Sequence, residues 1–202
     1  MSLNEKLADL VFFSKWLKSP LQVASVTPSS ARLARAMAAA LPGHEGLVVE
    51  LGAGTGPVTR ALLGSGVPPE HLVVVERDLH FCRMLSRRFP GVTVIDGDAF
   101  ELESLITGMG SSLPVRAVVS GLPLVPMRAA AQANLLGQAM ALTGGAGPFV
   151  QFSYGLVSPV KKPVEQALEL IPRCVAQVWR NVPPAKVWSY AQQPALAGLR
   201  TH

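Results

Sequence analysis

Short apolar runs alternate with longer amphipathic segments through most of the chain. The apolar runs are rich in β-branched residues and five to eight residues long, which is typical of buried strands. They occupy residues 47–51, 72–76, 92–96, 115–120 and 147–154. The segments between them have a helical pattern and occupy residues 57–64, 78–88, 98–107 and 127–142. This alternation predicts an α/β fold in which helices cover both faces of a largely parallel sheet.

The pattern changes after Tyr154. A proline-interrupted helix is predicted near residues 160–171, and two extended stretches follow at 175–181 and 185–190. The linker between these stretches is short, so they should form a hairpin whose second strand runs antiparallel to the first. The complete prediction is a doubly wound, seven-stranded, mostly parallel sheet with an antiparallel last strand.

The first 42 residues are predicted to form a helical extension. An apolar helical face ends at Ser19-Pro20, and an Ala-rich helix follows at about residues 30–41. The apolar face consists of Leu3, Leu7, Leu10, Val11 and Leu17, and lysines flank it. Such a helix either lies in a membrane interface or packs on the domain. We therefore divide the chain into an extension, residues 1–42, and an α/β domain, residues 43–202.

Three glycines at alternate positions follow the first predicted strand. Gly52, Gly54 and Gly56 lack side chains, so the backbone there can adopt positive φ or approach a ligand closely. A strand, a glycine turn and a helix N-terminus together form a nucleotide-binding corner, although an ordinary strand-to-helix turn has the same local pattern. Glu76, at the tip of the second predicted strand, is positioned either to accept from a ribose diol or to be a solvated charge.

Composition narrows the class of protein. Apolar residues make up 49% of the chain and charged residues 15%, which argues against disorder. The longest unbroken apolar run has six residues, too few to span a bilayer, and no signal-peptide pattern is present. Cys82 and Cys174 are far apart, which suits free thiols in a reducing cytoplasm and offers no metal-binding spacing.

The net charge of +5 is unevenly distributed. Residues 1–42 carry five Lys/Arg and two acidic residues, residues 43–154 carry seven and nine, and residues 155–202 carry six and two. Basic flanks favour a nucleic acid or an anionic membrane as partner, and the alternative is a generic basic surface.

With further strand-end segments in place, the chain resembles the class I S-adenosylmethionine-dependent methyltransferases over about residues 45–190. The markers are Glu50 to Gly56, Glu76, Gly97-Asp98-Ala99, Ser120 and the terminal strand pair. The resemblance implies S-adenosylmethionine as cofactor and S-adenosylhomocysteine as product. It also implies roles for single residues. Gly52, Gly54 and Gly56 hold the methionine part, Glu76 the ribose and Asp98 the adenine; Glu50 orients the turn and the amino group, and Ala99 and Ser120 complete the set.

A narrower resemblance is to the bacterial phospholipid N-methyltransferases that methylate phosphatidylethanolamine. The stretches that carry it are Phe12 to Pro20, Thr27 to Ser30, Ser120 to Leu124, Gln151 to Gly155 and Val178 to Ala185. It implies N-methylation of a phospholipid amine by a cytoplasmic protein that lies peripherally at the inner face of the cell membrane. The anionic membrane surface would be met through the N-terminal helix.

Two other functions stay open. Ribosomal RNA adenine N6-methyltransferases share the cofactor domain, but their polar and aromatic acceptor motif corresponds here to Gly121-Leu122-Pro123-Leu124. The missing polar residue and the missing aromatic residue count against a flipped base, and so against nucleic acid as acceptor. The remaining alternative is a non-catalytic module that binds S-adenosylmethionine.

Tyr154 is the candidate catalytic residue at the acceptor. Its ring is suited to hold a methylated ammonium and its hydroxyl to bond the amine, and the alternative is a tyrosine packed on a helix. The loop Leu122–Pro126 either shapes a lipid-facing entrance or packs in the core. Lys161, Lys162 and Arg180 are candidates for a lipid phosphate, and methyl transfer from a sulfonium requires no metal.

Overall fold

The computed structural model describes residues 28–43, 45–155, 157–179, 181 and 184–192. The helix predicted over residues 1–19, with its predicted membrane contact, lies outside the described residues. Thr27, Arg180 and the pair Val182-Pro183 also lie outside them. No helix in the described part of the chain is long and apolar enough to cross a bilayer.

Seven strands and six α-helices alternate along these residues. The strands are β1 Leu47–Leu51, β2 Leu72–Glu76, β3 Thr93–Asp96, β4 Val115–Ser120, β5 Phe149–Ser153, β6 Leu170–Val178 and β7 Ala185–Gln192. The helices are α1 Pro28–Ala38, α2 Pro57–Gly64, α3 Leu79–Arg88, α4 Leu102–Thr107, α5 Ala129–Thr143 and α6 Lys162–Ala167. Short 3₁₀ turns at Pro69–His71 and Ala99–Glu101 precede β2 and α4.

The seven strands form one sheet in the order β3-β2-β1-β4-β5-β7-β6. Neighbouring strands from β3 to β5 pair in parallel, and β7 pairs antiparallel with both β5 and β6. This confirms the predicted mostly parallel sheet with an antiparallel last strand. The strand order reverses between β1 and β4, and in open α/β sheets the crevice at such a point is where ligands bind.

Two apolar layers bury the two faces of the sheet. Leu47, Val49 and Leu51 of β1 pack with α4, α5 and α6 on one face, while Val48 packs with α1, α2 and α3 on the other. All five residues of β1 are buried, as expected for a central parallel strand covered on both sides. The doubly wound prediction is therefore confirmed, and α1 contributes Leu33 and Met37 to the same core as α2 and α3.

The prediction for the end of the chain needs correction. The helix predicted near 160–171 is the short α6, and β6 already begins at Leu170 rather than at residue 175, ending at Val178 rather than at 181. Pro172 lies inside β6, which is possible because β6 is an edge strand and a missing N–H there costs no ladder bond on the open side. Pro172 and the irregular register between Cys174 and Ala176 explain why the sequence of β6 lacks the regular alternation that predicts a strand.

Candidate functional site

The glycine turn lies at the carboxyl end of β1. Gly52 N–H donates to the Val75 carbonyl of β2 over 2.9 Å, which fixes the turn beside the end of β2. All three glycines have positive φ, with values of 67°, 54° and 80° for Gly52, Gly54 and Gly56. Gly56 is the N-cap residue of α2 and Pro57 follows in its first turn, where a missing N–H is tolerated.

The three glycines differ in what surrounds them. A Cβ atom on Gly52 would lie 2.7 Å from Leu122 Cδ2, and one on Gly56 would lie 2.5 Å from Phe89 Cε2. A Cβ atom on Gly54 would meet nothing within 4 Å. A side chain at Gly52 or Gly56 would therefore have to displace Leu122 or Phe89, whereas the Gly54 backbone is open to close approach by a ligand.

Glu76 is buried and bound to the turn. Its Oε2 accepts from Gly54 N–H over 2.9 Å, and its Oε1 accepts from the N–H groups of Arg77 and Asp78 over 2.9 and 3.0 Å. The side chain is 4% exposed, so the alternative of a solvated strand-end charge is wrong. Since a carboxylate oxygen has two acceptor positions, Oε2 retains one for a ligand beside Gly54.

Glu50 lies beneath the turn with 1% of its surface exposed. Thr59 of α2 donates its hydroxyl to Glu50 Oε2 over 2.7 Å. Burial raises the pKa of Glu50 from 4.5 to about 7; hydrogen bonds from Thr59 oppose this rise and the charge of Glu76 adds to it. A cation bound near the turn would therefore favour the ionised form of Glu50 at neutral pH.

Asp98 follows β3 and reaches the same edge of the sheet. Its Oδ1 accepts from Phe100 N–H over 3.0 Å and caps the 3₁₀ turn, while its Oδ2 lies 3.4 Å from Arg77 Nη1 in a partly exposed ion pair. Gly97 N–H donates to the Glu76 carbonyl over 3.1 Å, which joins the ends of β3 and β2. Ala99 is buried in the apolar layer that contains residues of α4, α5 and α6.

Ser120 and Gly121 close the other side of the turn. Ser120 ends β4, pairs in register with Leu51 and is fully buried, and its Oγ accepts from Leu122 N–H over 3.2 Å. Gly121 N–H donates to the Leu51 carbonyl over 2.8 Å, and a Cβ atom on Gly121 would lie 2.7 Å from the Gly52 carbonyl oxygen. The packing of the turn therefore excludes any side chain at position 121.

The loop Leu122–Pro126 was predicted either to shape an entrance or to pack in the core, and it contains both buried and exposed residues. Leu122 and Leu124 are buried in the core, whereas Val125 and Pro126 are exposed. The first part of the loop thus packs in the core, and its last two residues present an apolar surface to solvent.

Two buried glutamines that sequence reasoning missed hold the loops in place. Gln132 of α5 donates Nε2 to the Leu124 and Pro159 carbonyls over 2.7 and 3.0 Å, and its Oε1 accepts from Lys161 N–H over 2.8 Å. Gln151 of β5 donates Nε2 to the Leu122 carbonyl over 3.1 Å. Nothing in the sequence singled out Gln132, because α5 also contains Asn134 and Gln138. In the structure Gln132 is fully buried, and a fully buried amide must find partners.

Tyr154 follows β5, the strand next to β4. Its ring packs edge-to-face on Phe152, with centroids 5.4 Å apart, and the side chain is partly exposed. Burial raises the pKa of Tyr154 above its ordinary value, and a hydrogen bond with the Asn181 side chain partly opposes the rise. The phenol is therefore neutral at physiological pH, and it joins the β5 loop to the connection between β6 and β7.

The structure thus brings the candidate cofactor residues together at the carboxyl ends of β1 to β4, with Tyr154 one strand further along. Lys161 and Lys162 are exposed after β5, and Lys162 Nζ binds Glu165 over 2.7 Å; Arg180 lies outside the described residues. No group of three or more potential metal ligands occurs within the described ranges.

Sequence comparison identifies enzymes as relatives. Ornithine lipid N-methyltransferase of Singulisphaera acidiphila is 33% identical over 147 residues, which cover 71% of this chain and 76% of that protein. Ribosomal RNA small subunit methyltransferase A of Synechococcus is 32% identical over 131 residues, but these cover 58% of this chain and 43% of that protein. No protein-family model matches the chain.

Structural comparison gives the same fold. The 1,6-didemethyltoxoflavin-N1-methyltransferase of Burkholderia thailandensis, whose structure contains S-adenosylhomocysteine, superposes with a TM-score of 0.67 at 18% identity. The match covers 96% of this chain and 91% of that one. At this identity the likeness establishes the fold.

Proposed function

Since the chain belongs to the class I S-adenosylmethionine-dependent methyltransferases, we propose that it methylates the primary amine of a membrane lipid. Phosphatidylethanolamine is the acceptor that the sequence resemblance implies. An ornithine lipid is the second amine to consider, because a relative that shares 33% of its aligned residues is named for that substrate. Both acceptors present a primary amine at the surface of a bilayer.

The residues at the carboxyl edge fit the cofactor. The open backbone at Gly54 and the remaining acceptor position of Glu76 Oε2 are adjacent, which suits a ligand whose methionine part lies over the turn and whose ribose meets Glu76. In this proposal Gly52, Gly54 and Gly56 take the methionine part, Glu50 its ammonium, and Asp98 and Ala99 the adenine. Ser120 borders the methyl group through the turn after β4.

The bound cofactor supplies a methyl group that its sulfonium has already activated. The protein must then align the acceptor nitrogen with the methyl–sulfur bond and exclude water. Alignment of this kind supplies roughly 7–11 kcal/mol in favourable cases. The rigid connections among β1, β2 and β4 favour such alignment, because Gly52 and Gly121 are each bonded to a neighbouring strand.

The observation that carries the proposed acceptor is the segment after β4. Position 121 admits no side chain, and Leu122 and Leu124 are buried apolar residues. The Leu122 carbonyl, moreover, already accepts from Gln151. This segment offers neither a polar side chain nor an aromatic ring on which a nucleobase could stack. Its exposed apolar residues, Val125 and Pro126, suit a lipid instead.

Tyr154 would position the amine rather than deprotonate it. A phenol with a raised pKa is a poor source of phenolate at neutral pH, so the proton of the ammonium leaves to water before attack. The neutral hydroxyl can accept a hydrogen bond from the amine, and the ring can hold a methylated ammonium product by a cation–π contact of about 0.5–2 kcal/mol.

The proposal also keeps the N-terminal extension, residues 1–42, as a segment that meets the membrane surface or covers the cofactor, with the enzyme peripheral to the bilayer. In the described residues, α1 is part of the apolar core. Deletion of residues 1–19 tests this part, because vesicle binding should weaken while binding of S-adenosylhomocysteine is measured in parallel.

The test of the acceptor uses methyl-labelled S-adenosylmethionine, a total lipid extract and bulk RNA in separate reactions. We expect label in lipids that chromatograph as N-methylated amines, and none with a Glu76→Ala control. Label in RNA alone would favour the adenine methyltransferase alternative, which the basic flanks and the ribosomal RNA enzyme relative support. Cofactor binding without label in either extract would favour a non-catalytic module.

A further inference from the structure

Exposed apolar side chains are concentrated at one edge of the sheet. Among the described residues, the large apolar side chains that are exposed are Leu79, Leu113, Val125, Tyr154, Val157, Val175 and Trp179. Four of them follow the carboxyl ends of β4, β5 and β6, with exposed fractions of 64% for Val125, 39% for Tyr154, 75% for Val157 and 71% for Trp179. We call these four residues the apolar rim.

The rim residues belong to neighbouring loops. Ser120 pairs with Gln151, Ser153 with Lys186, and Val178 with Ala185, so the ends of β4, β5 and β6 lie along one edge. These strands and the intervening β7 span three strand spacings, or roughly 14 Å.

Hydrogen bonds join the same loops. Gln132 binds the carbonyl of Leu124, next to Val125, and the carbonyl of Pro159, in the loop that contains Val157. Tyr154 bonds to Asn181, two residues after Trp179. These hydrogen bonds therefore tie together the loops that carry the apolar rim.

Basic residues outnumber acidic ones in the part of the chain that carries the rim. Residues 121–192 carry six Lys/Arg and two acidic residues. Glu165 is buried and bound to Lys162, and Glu169 directly precedes β6 at the opposite, amino edge of the sheet. Lys161 is exposed just before α6, and Lys162 is exposed as the first residue of α6. An apolar surface with a tryptophan and surrounding lysines matches the interface of an anionic bilayer.

We propose that the apolar rim is the surface through which the folded domain docks on an anionic lipid bilayer, with the acceptor site facing the membrane. The inference rests on the proposed function in that the acceptor is a bilayer lipid. It goes beyond that function because it assigns a membrane contact to described residues of the domain itself. Tyr154, at the centre of the rim, then meets the lipid head group where Val157 and Trp179 enter the interface.

The test compares Val157→Ser/Trp179→Ser with Leu113→Ser/Val175→Ser. The second variant removes two apolar side chains away from the rim, which are 39% and 46% exposed. Binding is measured with vesicles of phosphatidylcholine, with and without phosphatidylglycerol. Methylation is measured on a dispersed short-chain amino-lipid. We expect at least about tenfold weaker binding of the rim variant to the anionic vesicles, and unchanged methylation of the dispersed lipid. The control variant should bind as the wild type does.

Binding of the rim variant equal to that of the wild type would overturn the proposal. A change from dimer to monomer in the rim variant with vesicle binding unchanged would also overturn it and assign the rim to contact between two copies. Failure of the wild type to methylate any lipid would contradict the proposed function, yet the vesicle comparison would still decide the role of the rim.

The Lys161→Gln variant tests the contribution of charge to docking. It should reduce the preference for vesicles that contain phosphatidylglycerol, and an unchanged preference would contradict an electrostatic contribution of Lys161.

Discussion

The N–H of Gly54 donates a hydrogen bond to Glu76 Oε2 over 2.9 Å, although the two residues are separated by 22 positions in the chain. This bond joins the glycine turn after β1 to the end of β2. The same carboxylate accepts the N–H groups of Arg77 and Asp78. Glu76 therefore organises the backbone of the proposed cofactor site as well as offering an acceptor to the ribose.

Glu76→Ala should weaken both the fold and cofactor binding. Three backbone N–H groups lose their acceptor, at about 1–3 kcal/mol for each one that stays buried. Glu76→Gln keeps one acceptor oxygen, so it should retain more stability but bind S-adenosylhomocysteine at least about tenfold more weakly than the wild type. Calorimetric titration and thermal unfolding measure the two effects. Wild-type affinity in Glu76→Ala would refute the site assignment.

Alanine at Gly54 and at Gly56 should separate binding from folding. At Gly56 the new methyl group would meet Phe89 and Leu85, so we expect a loss of about 3 kcal/mol or more in the free energy of unfolding. At Gly54 the loss should be about 1 kcal/mol, from positive φ alone. Gly54→Ala should nevertheless bind S-adenosylhomocysteine far more weakly, because its methyl group projects into the open space. Denaturant titration and binding of both variants check this contrast.

Glu50 should make stability depend on pH. Its pKa in the folded protein, about 7, is above its ordinary value of 4.5, so folding favours the protonated carboxyl. Its contribution to stability is fully present below pH 4.5 and is lost as the pH rises through 7, with a total of about 3 kcal/mol. Glu50→Gln should remove this dependence. Denaturant unfolding of both proteins over the pH range measures the difference, and parallel pH profiles would contradict the assignment.

Binding of the cofactor should act on the same group. If the ammonium of the methionine part lies near Glu50, it stabilises the carboxylate, and binding should release protons at neutral pH. Calorimetric titration of S-adenosylhomocysteine in buffers with different ionisation enthalpies detects that release. Glu50→Gln serves as the control, since it cannot ionise.

Two substitutions at Tyr154 should separate the ring from the hydroxyl. Tyr154→Ala should lower kcat/KM for the lipid amine by about 2- to 30-fold, which is the range of a cation–π contact. Tyr154→Phe keeps the ring on Phe152 but loses the bond to Asn181, so its effect should be smaller. Affinity for S-adenosylhomocysteine should stay unchanged in both. A loss of cofactor affinity in Tyr154→Phe would contradict this assignment, because it would place Tyr154 at the cofactor rather than at the acceptor.

The succession of strands and helices along the chain followed from local pattern, because buried parallel strands leave clear apolar runs. The roles of the site residues rest on the family resemblance and stay a prediction. β1, β2 and β4 begin and end at the predicted residues. β6 was mispredicted because an edge strand needs neither continuous apolar residues nor a full set of N–H donors, as Pro172 shows. The hydrogen bonds of Gln132 to the Leu124 and Pro159 carbonyls were not predictable, because the two loops that contain these carbonyls are far apart in the sequence.

The place of β7 between β5 and β6 has a consequence for how the chain folds. Until residues 185–192 have been synthesised and have inserted, the outer edge of β5 has no neighbour and β6 has nothing to pair with. Insertion of β7 therefore completes this sheet, and its pairing with β5 joins residues that are distant in sequence and slow to meet. During that interval the open edge of β5 is the part of the nascent protein most exposed to pairing with another chain.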